Sequence, residues 1–242
     1  MDIINNITLY YKLMKPTKPL GKKCYGSIPH LLGSKLGEGD HHIHQGQHNI
    51  CTVKTRDEYD LVIVTEKYDG SNVAIAKING ELVALTKRGY TALSSPFVQH
   101  HAFDFYVKLH LVTFDRLLKE GERICGEWMF TPHGIKYNIE ESAHRFIPFD
   151  IIDAENKRIG YDEFVDRATK YLKPPRIINI GYKSFSVKEC LINLYDKNQY
   201  RIDIVPEEKP EGLVYRVERK GKFDFIAKHV RSDFETGKYL NL

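Results

Sequence analysis

The apolar run Leu61-Val62-Ile63-Val64 divides the chain into two stretches of different character. Before it, residues 1–59 are rich in Gly, His and Lys and hold no sustained hydrophobic period, so no regular element is expected there. The run itself is short and β-branched, which suits a buried strand. Residues 72–78 and 81–86 are two further strand candidates around Asn79-Gly80. That dipeptide suits a type I′ hairpin turn, whose two central residues both need positive φ. Between 98 and 119, Phe103, Val107, Leu111, Phe114 and Leu118 recur at spacings of three and four, which predicts one amphipathic helix stopped by Gly121. Buried strands are predicted at 123–130 and 145–153, and helices at 161–172 and 187–196. Pro174-Pro175 ends the first of these helices, and Ser186 and Glu189 have the spacing of a capping box at the start of the second. Strands return at 212–218 and 223–229. Hairpins interspersed with helices predict an α+β fold with mainly antiparallel sheets.

The chain has 242 residues, enough for one large domain with an appendage. The expected division is an N-terminal extension over 1–59 and a main domain over 60–242. No apolar run is long enough for a membrane helix. Cys24, Cys51, Cys125 and Cys190 are dispersed, which suits reduced thiols and a cytoplasmic setting. A net charge of +4 permits a polyanionic partner without requiring one. The local pattern is more informative. Lys12, Lys15, Lys18, Lys22 and Lys23 are interleaved with Tyr10, Tyr11 and Tyr25, a composition that serves phosphate contact with base stacking as well as it serves a solvated terminus.

The segment Glu66-Lys67-Tyr68-Asp69-Gly70-Ser71-Asn72 follows the first strand directly. A lysine at a strand end, next to a tight turn, can project into a cleft. It becomes a nucleophile when burial or neighbouring cations favour its neutral form. Alone, such a motif describes many surface turns.

Read with the rest of the chain, the segment resembles the first motif of the covalent nucleotidyltransferase superfamily, which contains RNA ligases, DNA ligases and messenger-RNA capping enzymes. Asn72 is similar to the RNA ligase 2 branch in particular. Lys87-Arg88-Gly89, Gly126-Glu127-Trp128, Phe149-Asp150-Ile151-Ile152, Glu211-Gly212-Leu213-Val214 and Lys228 resemble the later motifs, in order, across roughly residues 61–230. The resemblance implies a nucleotidyltransferase domain with two mainly antiparallel sheets flanking a nucleotide cleft. It implies Lys67 as the adenylylated nucleophile, with Glu127, Glu211 and Lys228 as its catalytic companions. It places Glu66, Asp69, Asn72, Arg88, Phe149 and Arg216 around the nucleotide, and gives Glu127, Asp150 and Glu211 to a divalent metal. The expected activity is ATP-dependent joining of RNA 5′-phosphate and 3′-hydroxyl ends through a lysyl-AMP intermediate, with Mg²⁺ or Mn²⁺, in RNA repair.

Two departures shape the rivals. The segment Phe225 to Arg231 carries one lysine where the superfamily has two, with Arg231 a candidate for the second charge. Only 14 residues follow Lys228, so no C-terminal OB-fold is expected. That counts against a DNA ligase or a guanylyltransferase, while the incomplete last motif keeps open a non-catalytic module that binds nucleic-acid ends.

The N-terminal extension is expected to contact RNA and to be dispensable for lysine adenylylation. Within it, His41, His42, His44, His48 and Cys51 fall in 11 residues. Their spacing matches no standard zinc module, so an RNA-contacting loop or a structural plug against the main domain is favoured over a metal site.

Overall fold

The computed structural model describes residues 16–139, 145–196 and 208–240. Lys12, Lys15, Tyr10 and Tyr11 lie outside them. Eight described strands form two four-stranded antiparallel sheets. The first sheet has the order β6-β1-β7-β8, from Ile177–Gly181 (β6), Asp60–Lys67 (β1), Gly212–Arg219 (β7) and Lys222–Val230 (β8). The second has the order β3-β2-β4-β5, from Glu81–Thr86 (β3), Ser71–Ile78 (β2), Arg123–Trp128 (β4) and Phe146–Ile152 (β5). The predicted α+β class with two antiparallel sheets is what the chain adopts.

The Asn79-Gly80 hairpin forms as expected, with φ of 52° and 77°. The predicted helix over 98–119 is instead two, α2 (Val98–Leu109) and α3 (Leu111–Leu117). The break is at His110, whose ring nitrogen Nδ1 sits 2.8 Å from the Tyr106 carbonyl and whose backbone adopts φ −114° and ψ 27°. Phe103, Val107, Phe114 and Leu118 are buried as the period requires, but the break turns Leu111 outward. Phe103 anchors an aromatic core with Tyr106, Trp128 and Phe146, and Ile63, Val73 and Ile75 pack into the same cluster.

Helix α4 (Tyr161–Ala168) stops four residues before its predicted end. In α5 (Val187–Tyr195) the Ser186 side chain accepts from the Glu189 amide, as the capping pattern requires. The edge strand β6 was not expected. It pairs on one side only, and Ile177 and Ile180 are left exposed, so its sequence lacks the alternation of a half-buried strand.

Residues 16–59 depart furthest from expectation. Gln45–Thr52 is a helix (α1) that buries Cys51. Leu31, Ile43 and Cys51 belong to the core cluster under β1 and β7, while Cys24 and Tyr25 belong to one formed with β2 and β4. Leu31 N donates to the Lys228 carbonyl at 2.8 Å, Lys228 N to the Pro29 carbonyl at 2.9 Å, and Lys35 N to the Val230 carbonyl at 3.0 Å. The segment therefore continues the first sheet beyond β8. Of the readings of the histidine-rich stretch, the structural plug matches this packing. Ile43 is buried, and His48 bridges the Leu32 amide (3.3 Å to Nδ1) and the Thr52 hydroxyl (3.2 Å to Nε2). Among the described residues no three His, Cys, Asp or Glu side chains gather as a metal site.

This packing speaks for a structural role of the segment, against the expected dispensability. Burying Leu31 and Ile43 alone is worth about 3–6 kcal/mol, against a net folding stability of roughly 5–15 kcal/mol for a domain. A chain lacking residues 1–55 is expected to lose both its cooperative thermal transition and any lysine labelling. Cooperative melting within a few degrees of the full chain would show the segment to be peripheral.

Candidate active site

The cleft between the sheets follows from strand periodicity. Alternate residues of a strand face one side, so Ile63, Thr65 and Lys67 of β1 look the same way. The β1–β7 register pairs Ile63 with Arg216 and Thr65 with Val214, and the β7–β8 register pairs Val214 with Lys228 and Arg216 with Ile226. These residues form one wall of a cleft of about 980 Å³. Asn72, Glu127, Ile147 and Phe149 of the second sheet form the opposite wall.

Lys67 reaches into this cleft, and its Nζ lies 2.6 Å from Glu211 Oε2. Burial favours the neutral amine, but the carboxylates of Glu211, Glu127 and Asp69 outweigh it and hold the Lys67 pKa above its ordinary value. Among the described residues, the groups that shift Lys67 most are acids, and Lys228 is a cation that shares its cleft. Burial pushes Glu127 up to about 8 against the pull of Lys67, and raises Glu211 in the same way. Lys228 is lowered, first by burial and then by repulsion from Lys67.

Two glycines are required by close approach. A Cβ on Gly70 would lie 2.7 Å from the Trp128 carbonyl oxygen, and one on Gly212 would lie 1.9 Å from that of His229. Gly212 thus allows β7 to start against β8 and fixes where Glu211 points. Gly70 N donates to Glu127 Oε1 at 3.3 Å, so the turn after Lys67 also orients the second acid.

The remaining expected residues divide by position. Asn72 faces the cleft, and its buried Oδ1 has no hydrogen-bond partner in the structure. Phe149 lines the cleft and is held edge-on by Tyr25, with centroids 4.9 Å apart. Glu66 lines the cleft while its carboxylate lies 3.2 Å from Arg176 Nε. Asp69 accepts from Gly134 N at 2.5 Å, and its own amide donates to the Tyr137 hydroxyl at 3.0 Å. Arg88 is exposed and does not line the cleft; its neighbour Lys87 does.

Arg216 and Asp150 pair with each other. Arg216 lines the cleft, but its guanidinium donates to Asp150 (3.0 Å), Glu218 (2.8 Å) and the Ile159 carbonyl (2.5 Å). Asp150 is fully buried and also accepts from Arg158 Nε at 2.6 Å and from the Tyr25 hydroxyl at 3.1 Å. A carboxylate already matched by two guanidiniums and a phenol has little charge to offer a divalent ion, so the partners of Asp150 suit a structural anchor better than the expected metal ligand. Arg231 likewise points away from the cleft, pairing with Asp233 at 2.9 Å.

The RNA ligase family model matches residues 60–230, well over half of the chain. The chain belongs to the RNA ligase family. An uncharacterised protein of Methanocaldococcus jannaschii is 29% identical over 142 residues, which is 56% of this chain and 35% of that protein. Among solved structures, a mutant Naegleria gruberi RNA ligase with AMP and Mn is similar with a TM-score of 0.52 at 15% identity, covering 89% of this chain and 60% of that one. Another mutant of that ligase, with ATP and Mn, gives 0.51 at 15% identity over the same shares. At this identity the likeness is one of fold. The chain spans about a third of the curated relative and three fifths of these ligase chains.

Several residues of this family member escape a motif reading. Tyr25, Gly26 and Ile28 of the N-terminal segment line the cleft, as does Lys87. Lys87 stands in the Lys87-Arg88-Gly89 motif and Tyr25 in the basic aromatic stretch; Gly26 and Ile28 carry no signal and are brought in by tertiary packing.

Gly212→Ala is expected to destabilise the protein by at least about 1–3 kcal/mol, as overpacked sites do, because the new methyl meets a strand backbone. Thermal melting would read this, and a neutral effect would mean that β7 and β8 can separate there freely.

Proposed function

We propose that the protein is an ATP-dependent RNA ligase that joins 5′-phosphate and 3′-hydroxyl ends through a covalent adenylate on Lys67. The observation that carries this reading is the position of Lys67, whose amine projects into the cleft beside Glu211 at 2.6 Å, with Glu127 and Lys228 lining the same space. Family membership and the Naegleria structures with ATP or AMP and Mn support it.

In the first step the Lys67 amine sheds a proton, for which Glu211 is the nearest acceptor, and attacks the α-phosphorus of ATP as pyrophosphate leaves. The adenylyl group then passes to the 5′-phosphate of an RNA strand. A 3′-hydroxyl finally attacks that activated phosphate and AMP departs. Each step is an in-line transfer in which positioning and charge neutralisation supply most of the rate. Lys87 and Lys228 neutralise phosphate oxygens, Phe149 offers the base a flat face, and the unpartnered Asn72 Oδ1 accepts a hydrogen bond from the nucleotide or its water.

Burial raises both Glu127 and Glu211, so each holds its proton more tightly until a cation displaces it, which is the donor chemistry of a divalent-cation site. Mg²⁺ keeps several waters and needs only one or two protein carboxylates besides substrate phosphates. Glu127 and Glu211 fit that role without a three-acid cluster. The ion, when bound, offsets the charge on the phosphates and favours the neutral form of Lys67.

The RNA strand lies across the N-terminal basic stretch. Lys22 and Lys23 are exposed, Lys18 Nζ sits 5.4 Å from the Tyr90 ring, and Cys24 N donates to the Lys87 carbonyl at 3.0 Å. Two basic segments far apart in sequence thus meet at the cleft mouth. The role in RNA repair is the natural setting for such an activity.

Incubation with α-labelled ATP or GTP and Mg²⁺ or Mn²⁺, followed by denaturing electrophoresis, tests the chemistry. Label from ATP should remain on the protein, and should disappear with Lys67→Ala and when the metal is chelated. Label from GTP alone would indicate capping-type chemistry, and equal labelling of the mutant would remove Lys67 as the nucleophile. For the RNA surface, replacing Lys22 and Lys23 together by Glu should weaken binding of 5′-phosphorylated RNA and reduce the salt-dependence slope by about 1–2. An unchanged slope would take the strand elsewhere.

A further inference from the structure

The single lysine of the last motif is held from the N-terminal segment. Lys228 Nζ lies 3.5 Å from Asp40 Oδ1, and Asp40 Oδ2 lies 2.9 Å from His30 Nε2. His30 is almost fully buried. Its Nδ1 sits 2.7 Å from the Ser34 hydroxyl, which also accepts from Val230 N at 2.9 Å. That hydroxyl also donates to the Lys35 carbonyl at 3.4 Å, so it ties His30 to the backbone on both sides of the contact. His30 Nε2 stands beside Asp40 at ion-pair distance without the alignment of a hydrogen bond. Asp40 Oδ2 accepts from Gly37 N at 3.1 Å, so the carboxylate is fixed by its own turn. The backbone of Lys228 is clamped on both sides by Pro29 and Leu31, the residues flanking His30. Main chain and side chain of Lys228 are therefore tethered by one segment, residues 29–40.

We infer that Asp40, fixed by its own turn, is the positioning residue for Lys228, and that the N-terminal segment thereby takes part in nucleotide transfer. The inference rests on the proposed ligase chemistry, in which Lys228 meets the phosphates of ATP. A four-carbon side chain has many rotamers, and ordering one costs free energy unless a partner has already done so. Where the superfamily pattern has a second lysine two residues away, this chain has a counter-ion that keeps the remaining one extended along the cleft wall.

Asp40 is itself an anion near a triphosphate site. Removing it should not weaken ATP binding; it should leave Lys228 free to wander, so that the bond-forming step suffers. Asp40→Asn keeps the acceptor for Gly37 N and so preserves the turn. The experiment is single-turnover labelling of the full chain with α-labelled ATP, in the wild type, Asp40→Asn, Lys228→Ala and the double variant. The expected result is a rate lower by about tenfold or more for Asp40→Asn, as a mispositioned group produces, with an apparent KM for ATP unchanged or lower. The double variant should be no slower than Lys228→Ala alone, because both changes remove one interaction. A purely structural role for Asp40 would lower the labelled fraction instead, and would add to Lys228→Ala. An Asp40→Asn rate equal to that of the wild type, or additive losses, overturns the inference alone. A wild-type chain that takes no label from ATP overturns the ligase reading and this inference with it.

Discussion

The antiparallel pairing of β1 with β7 is the constraint on which the site depends. It sets Lys67 opposite Gly212, and so brings the amine within 2.6 Å of Glu211, a residue 144 positions away. Because side chains alternate, a slip of one residue in this register would put Lys67 on the opposite face of the sheet from Lys228. The pairing is held by Val62 and Val64 on the far face, packed with Leu213, Tyr215 and Val217. It is completed by the absence of a side chain at Gly212, where β7 and β8 approach too closely for any Cβ.

Charges are divided sharply across the interior. On one side of the cleft Arg158 and Arg216 match Asp150 and Glu218, and Tyr25 closes the group with its hydroxyl. That set is balanced, and its members have spent their hydrogen-bonding capacity on one another. On the other side Lys67 faces Glu211 and Glu127. That set is not balanced, and its acids are held above their ordinary pKa values by burial. Buried charge without a full set of partners is costly. Its persistence beside an open cleft marks where the protein expects charged ligands, while the balanced set serves as the rigid floor.

Sheets and motif order could be read from the sequence because they rest on local signals. The β-branched run at 61–64, the Asn79-Gly80 turn and the Ser186 cap each force a conformation within a few residues. Lys67, Glu127 and Glu211 stand at or beside strand ends, so their placement followed from the strands. What could not be read was long-range. Helix α1 holds only Ile50 and Cys51 as apolar contributors, too few to show a period. The break at His110 depends on a ring nitrogen meeting a carbonyl, which no spacing reveals. Asp150 looked like a metal ligand because its two guanidinium partners come from elsewhere in the chain. The link from Asp40 to Lys228 crosses 188 positions and leaves no pattern in either neighbourhood.

The pairing of residues 29–35 with the end of β8 has a consequence for synthesis. Leu31 and Lys35 find their backbone partners at Lys228 and Val230, so a chain growing on the ribosome cannot complete this pairing until β8 has emerged. Contacts of such sequence separation close slowly. Until then the earliest segment presents unpaired backbone and the bare side chains of Leu31 and Ile43, the kind of surface that chaperones hold and that aggregates form on. The catalytic cleft shares this late closure, because Lys228 lies on the strand that arrives last. The wall that carries Arg216 and Lys228 is therefore incomplete until β8 has been made.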